Sequence, residues 1–338
     1  VSDGDDPIAV TLGDPAGIGP EITLKSWKRR QENGLSPFVV IGDPDLFGSL
    51  SLQLGLDVPV QAVETPAQAT TIFADALPVL PLRHPVNAVP GHPDKANATA
   101  IIESVETAVT LARAGRVSCL ATNPIAKHVL YDAGFAHPGH TEFLATLAAE
   151  PGGAVPLPVM LLWSDSLAVV PVTIHIPLAD VPETLTTELI VRTARIVAAD
   201  LASRFGIAKP RLALAGLNPH AGESGAIGRE DIDIVAPAIA QLRMEGIDAT
   251  GPYPADTMFH ARARAGYDVA LCMYHDQALI PIKTIAFDDG VNVTLGLPFI
   301  RVSPDHGTAF DIAGKGIARP DSLIAALKLG ARLASLAS

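Results

Sequence analysis

The stretch Asp268–Gly316, DVALCMYHDQALIPIKTIAFDDGVNVTLGLPFIRVSPDHGTAFDIAGKG, decides how the chain is read. It opens with the apolar run Val269–Tyr274, which reads as a buried strand. The chemistry begins where that strand should end: His275, Asp276 and Gln277, then Lys283, Asn292 and Arg301. In an open α/β sheet, ligands sit outside the carboxyl ends of the strands. The plainer reading is that these residues merely begin a loop. Two similar histidine-bearing strand ends upstream weigh against it.

The first of these lies in Pro158–Ile174, two strand runs split by the turn Ser164–Ser166, ending in Thr173-Ile-His175-Ile-Pro177. The second is Arg211–Ala215, followed by Gly216-Leu-Asn-Pro-His220-Ala-Gly-Glu223. A lone histidine in such a turn is more often structural. His175, His220 and His275 at three equivalent strand ends would converge on one crevice. Three neutral imidazoles with an open position form a catalytic metal arrangement, zinc being the first expectation from ligand type. Their wide separation makes this a tertiary site, so spacing alone leaves the metal and structural readings both open.

Asp256 and Asp276 are the carboxylates nearest this cluster, fit to orient an imidazole, to act as a base, or simply to cap a helix. Lys283 and Arg301 would supply fixed charge for a phosphate or carboxylate, with Asn292 beside them. All three occupy otherwise apolar, strand-like contexts, where an unpaired charge is costly. His140, in the turn Gly139-His-Thr-Glu142, is a candidate for a polar ligand, and Thr141 is read as a helix N-cap.

The totals bound the class. At 338 residues two domains are expected, and 48% hydrophobic with 18% charged residues supplies a large core. A net charge of −12 argues against a nucleic-acid or anionic-membrane surface, though not against a small anionic substrate. Cys119 and Cys272 lie in apolar runs and read as core residues. The start VSDGDDP has no apolar signal region, so a cytoplasmic protein is expected.

In chain order, Ile8–Leu12 reads as a strand, then Gly13–Glu21 as a turn and helix start with Pro20 in the first helical turn. Its backbone N–H groups could face an anion or cofactor, or simply form a structural turn; it is not a G-x-G-x-x-G fingerprint. Phe38–Ile41 and Val58–Val63 read as strands, residues around 75–93 as a polar and proline-rich segment, and 93–114 as a helix. Residues 117–121 read as a strand, 184–205 and 229–245 as helices, 251–257 as a loop, and 320–336 as a final helix.

Taken together, GDPAGIGPE (13–21), TNPIAKHVL (122–130), GHTEFLA (139–145), LNPHAGESGAIGRE (217–230), MYHDQALIPIK (273–283) and SPDHGTAFDIAGKGIARP (303–320) resemble the 4-hydroxythreonine-4-phosphate dehydrogenase family of vitamin B6 biosynthesis. The resemblance spans nearly the whole chain in order. It implies a two-domain α/β/α sandwich of the isocitrate/isopropylmalate dehydrogenase type with a cleft between domains. The first domain would comprise 1–128 with 303–338, the second 129–302. The implied metal ligands are His175, His220 and His275, holding Zn2+, Mg2+ or Co2+. Implied substrate contacts are His140, Thr141, Lys283, Asn292 and Arg301, supported by Asp256 and Asp276. Gly13, Asp14, Gly17, His306, Gly307 and Asp311 would meet NAD or NADP. The implied assembly is a homodimer with the active site at the subunit interface. The implied reaction oxidises 4-phosphohydroxy-L-threonine to 2-amino-3-oxo-4-phosphooxybutanoate, which decarboxylates to 3-amino-2-oxopropyl phosphate. Relatives acting on a phosphorylated sugar acid or an aromatic dihydrodiol, or a non-redox acyl-phosphate transferase of this fold, are the alternatives.

Overall fold

A computed structural model describes residues 6–137 and 139–337; most of the acidic segment VSDGDDP lies outside them. The chain forms two compact units, one of residues up to Pro158 together with those from Leu297, the other Val159–Gly296.

The strands of the first unit are β1 (Ile8–Thr11), β2 (Phe38–Gly42), β3 (Val60–Ala62), β4 (Leu77–Pro81), β5 (Leu120–Ala121) and, returning late in the chain, β12 (Arg301–Pro304). They lie in the order β3-β4-β2-β1-β5-β12, every pair parallel. β1 and β2 are buried at every position, so they read as unbroken apolar runs, as strands covered on both faces must. The helix Ala98–Arg113 turns Ala98, Ile101, Val105, Ala108 and Val109 inward at helical spacing. From the same face Ser104 donates to Ile41 C=O at 2.7 Å and accepts from Leu12 N–H at 2.9 Å, fixing where β1 and β2 end.

The second unit holds β6 (Val159–Ser164), β7 (Leu167–Thr173), β8 (Arg211–Ala215), β9 (Asp248–Tyr253), β10 (Val269–Tyr274) and β11 (Val291–Leu295). Their order is β11-β6-β7-β10-β8-β9. β6 is antiparallel to both its neighbours, and the pairs from β7 to β9 are parallel. The hairpin expected at Ser164–Ser166 is present: Ser164 Oγ accepts from the N–H groups of Ser166 and Leu167. Thr186 caps the helix Thr187–Arg204 by accepting from Leu189 N–H at 3.1 Å.

Several expectations need correction. Residues 75–93 contain β4, hidden by Pro78 and Pro81, and 251–257 begins inside β9, hidden by Gly251 and Pro252. Beyond β10 the chain enters the helix His275–Ile285 at once, so Lys283 is a helical residue rather than one in a strand. Thr141 is not the cap of its helix: Gly139 holds that position, and the helix runs His140–Ala148. The compact units divide at 158/159 and 296/297, beside the approximate domain boundaries at 128/129 and 302/303 that the resemblance implies. Phe143, Leu144 and Ala148 share a core with Val105 and Val109, which draws 129–158 to the first unit.

Candidate functional site

Three neighbouring parallel strands, β7, β10 and β8, end at the same edge of the second unit's sheet. His175 follows β7 by two residues, His275 follows β10 directly, and His220 follows β8 by five. The edge is laced together. Thr173 Oγ1 donates to Met273 C=O at 2.8 Å, joining β7 to β10. Buried Gln277 accepts from Met273 N–H and donates to Gly216 C=O, both at 2.7 Å, joining β10 to the chain beyond β8. The rings of His175 and His275 lie 5.8 Å apart, beside a cavity of about 240 Å³ lined by Thr173, Tyr274 and Asp276 among others. Asp276 sits 2.7 Å from His275 Nδ1, which favours Nε2 as the nitrogen left for a ligand.

His220 is presented differently. Residues His220, Ala221, Gly222, Glu223, Ser224 and Gly225 all have positive φ, from 44° to 95°, forming one left-handed turn. Each non-glycine residue held this way costs about 1–2 kcal/mol, so the run persists only where its surroundings impose it. His175 shares the conformation, with φ of 53°. The His220 ring is exposed, its Nδ1 3.3 Å from Glu223 Oε2.

The first unit gathers a different set. Arg301 lies on β12 with its side chain buried, and its Nε and Nη2 donate to Thr122 Oγ1 at 3.0 and 2.7 Å. Burial lowers the guanidinium's pKa from its ordinary value to about 10, which leaves it charged at neutral pH. His140 opens its helix with Nε2 buried and, among the described residues, without a hydrogen-bond partner. Burial first, then the charges of Arg301 and Lys127, push the imidazole well below its ordinary value, so it is neutral. A fixed cation beside a neutral ring with an unused nitrogen suits an anionic oxygen ligand. The contact of Thr122 with Arg301 was not legible in the sequence because the two lie 179 residues apart.

The remaining candidates are placed as follows. Asn292 is on β11, half-buried, and Lys283 Nζ lies 5.9 Å from the Phe287 ring centre. Asp256 is exposed in the short turn Ala255–Thr257. Gly13 has φ of 70° and abuts Asn123, and a Cβ on Gly17 would stand 2.9 Å from Thr308 C=O. Asp14 Oδ1 accepts from Ala16 N–H, shaping this turn, and Ile18 N–H donates to Thr308 C=O. His306 Nδ1 lies 3.0 Å from Gly307 C=O, Gly307 has open space about it, and Asp311 is exposed. An ion pair of buried Glu21 with half-buried Lys25 unites the first motif with the last. Glu21 accepts from the N–H groups of Gly316 and Ala318, and Lys25 donates to both their carbonyls and to Glu21.

The family described as "Pyridoxal phosphate biosynthetic protein PdxA" matches residues 34–330. The chain belongs to that family. A 4-hydroxythreonine-4-phosphate dehydrogenase of Methylorubrum populi is 66% identical over 332 residues, 98% of this chain and 95% of that one. The crystal structure of 4-hydroxythreonine-4-phosphate dehydrogenase from Klebsiella pneumoniae superposes with a TM-score of 0.85 at 39% identity, covering 97% of this chain and 98% of that one. A terephthalate 1,2-cis-dihydrodiol dehydrogenase from Burkholderia xenovorans gives 0.65 at 31% identity, covering 97% and 98%. The PdxA fold is thus the mixed α/β architecture described above.

PdxA-family dehydrogenases imply NAD(P) and a divalent metal. The donor set here fits such an ion in kind: three imidazoles on one sheet edge, one of them backed by a carboxylate. Among the described residues of a single chain, no three His, Cys, Asp or Glu groups converge at metal distance. One chain brings His175 and His275 together and leaves His220 on its turn.

Proposed function

We propose that this chain is a metal-dependent, NAD(P)-linked dehydrogenase of 4-phosphohydroxy-L-threonine, oxidising its C3 hydroxyl to a β-keto acid that then loses CO2. The observation that carries the reading is the set of imidazoles at adjoining ends of β7, β10 and β8, in a chain 66% identical to a protein named for this activity. His175, His220 and His275 would hold the ion, which is Zn2+, Mg2+ or Co2+. The chemistry supplied when both groups are bound is Lewis acidity toward the substrate hydroxyl and amine, with hydride acceptance by NAD(P)+.

The chain's own groups bind and orient. Asp276 holds the His275 ring in one tautomer, as its 2.7 Å contact favours. Arg301, charged and braced by Thr122, anchors the phosphate or carboxylate, and His140 offers its unused Nε2 to the same anion. Thr141, Lys283 and Asn292 complete the substrate contacts, and Asp256 or Asp276 takes the hydroxyl proton. The turn at Gly13, Asp14 and Gly17, with His306, Gly307 and Asp311, forms the cofactor side. The reading includes a homodimer whose second copy completes the donor set, and a cytoplasmic setting in keeping with the buried free thiols Cys119 and Cys272.

The test is substrate-dependent reduction of NAD+ and NADP+ at 340 nm, run with 4-phosphohydroxy-L-threonine, a phosphorylated sugar acid and an aromatic cis-dihydrodiol. The phosphorylated amino acid should give the highest kcat/KM. A dihydrodiol preference would transfer the reading to the class of the Burkholderia xenovorans relative. Absence of reduction with all three would end it.

A further inference from the structure

We infer that Asp231 is a positioning residue for His220, its buried carboxylate fixing the root of the left-handed turn that presents this imidazole at the sheet edge. The inference rests on the reading of His220 as a metal donor.

Asp231 is 1% exposed. Its Oδ1 accepts from Leu217 N–H at 2.7 Å, and its Oδ2 accepts from both Asn218 N–H and Asn218 Nδ2, each at 3.1 Å. Glu230 Oε2 takes a further bond from Asn218 Nδ2 at 2.8 Å. The residues just before the turn therefore donate their N–H groups to one carboxylate, and a bond to a carboxylate is stronger than one to a carbonyl. The fit extends into the turn. A Cβ on Gly216 would lie 2.9 Å from Asp231 Oδ1, and one on Gly222 would lie 3.2 Å from Oδ2. Both glycines are thus required by the carboxylate as well as by the backbone. Asp231 opens a π-helical turn, Asp231–Val235, a geometry frequent at functional sites.

No contact joins Asp231 to the His220 ring, so the carboxylate acts through the backbone between them. The run of positive φ from His220 to Ser224 persists only where its surroundings impose it, and Asp231 provides such a constraint at its base and flank.

The experiment is a double-mutant cycle read by metal affinity. Metal-free full-length wild type, Asp231→Asn, His220→Ala and the double variant are titrated with Co2+ by calorimetry, and the cobalt absorption spectrum reports the donor set. Asp231→Asn should weaken Co2+ binding about tenfold or more, the range seen when groups supporting a ligand are changed. In the His220→Ala background the same change should have no further effect. Full additivity would mean general weakening of the unit and overturn the inference, as would wild-type affinity in Asp231→Asn. Unchanged affinity in His220→Ala would overturn the donor reading itself, and the inference with it. Should Asp231→Asn not fold, Asn218→Ala removes only the side-chain bonds and should cost about fivefold, again vanishing without His220.

Discussion

Gln277 and Gly216 are joined by a 2.7 Å hydrogen bond from a side-chain amide to a main-chain carbonyl, across the gap between the strand ends that carry His275 and His220. The same amide accepts from Met273 N–H. Gln277→Ala should leave a buried donor and a buried acceptor unpartnered, costing about 3 kcal/mol in a denaturant titration. Metal affinity should fall with stability, because two histidine-bearing ends lose their tie. Retained stability would show that water replaces the amide.

Chelation should abolish turnover, and added Zn2+, Co2+ or Mg2+ should restore part of it. Each of His175→Ala, His220→Ala and His275→Ala should lower metal content and activity together. If a second copy completes the site, refolding His220→Ala together with His275→Ala should give mixed dimers with one intact site each, recovering about a quarter of wild-type activity. Confirmed mixed dimers without recovery would place all donors in one chain.

Arg301→Met exchanges a buried cation for an apolar side chain of similar length. Burial lowers its pKa to about 10. Between that value and the ordinary, higher one the unfolded chain keeps a proton the native chain has released, so stability rises with pH there. Below about 10 the cost of the buried charge is complete. Replacement by Met should therefore leave stability within about 2 kcal/mol of wild type or raise it. Substrate affinity should fall at least tenfold, as calorimetry with the substrate can show. A large loss of stability would mean the guanidinium is chiefly structural.

His140 is held neutral, so the unfolded chain gains a proton below about pH 6.5 that the native chain refuses. Stability should fall on acidification through that range, by up to about 1.4 kcal/mol per pH unit from this group. His140→Gln should flatten the slope of stability against pH between 6.5 and 5. An unchanged slope would show that the ring protonates freely.

What the sequence made legible follows from the range of the forces involved. β10 and the hairpin of β6 and β7 could be read because their apolar runs and turn residues are local signals. The three histidines were legible as strand ends. That β7, β10 and β8 are neighbours depends on a sheet order no local pattern encodes. β4 and β9 were obscured by their own prolines, which argue against a strand when only the sequence is read. Thr141 was misjudged as a cap because threonine and glycine compete for that position, and Gly139 holds it. Asp231 gave no signal, and Gln277 and Thr122 stood in the quoted motifs without their roles being legible, since each acts on groups distant in the sequence or on main-chain atoms of a turn whose shape was unknown.

The clamp of Glu21 and Lys25 on Gly316 and Ala318 sets an order of events during synthesis. Glu21 leaves the ribosome 297 residues ahead of Ala318, and the whole continuous second unit is made in between. That unit can close on its own strands while the first still lacks β12 and its last helix. Until residue 301 appears, β5 has an open edge, since β12 is its neighbour on that side. Open edges invite mispairing, and discontinuous units close late. The docking of Arg301 onto Thr122 is accordingly among the last acts of folding, and a nascent chain halted before it is the form that chaperones and aggregation compete for.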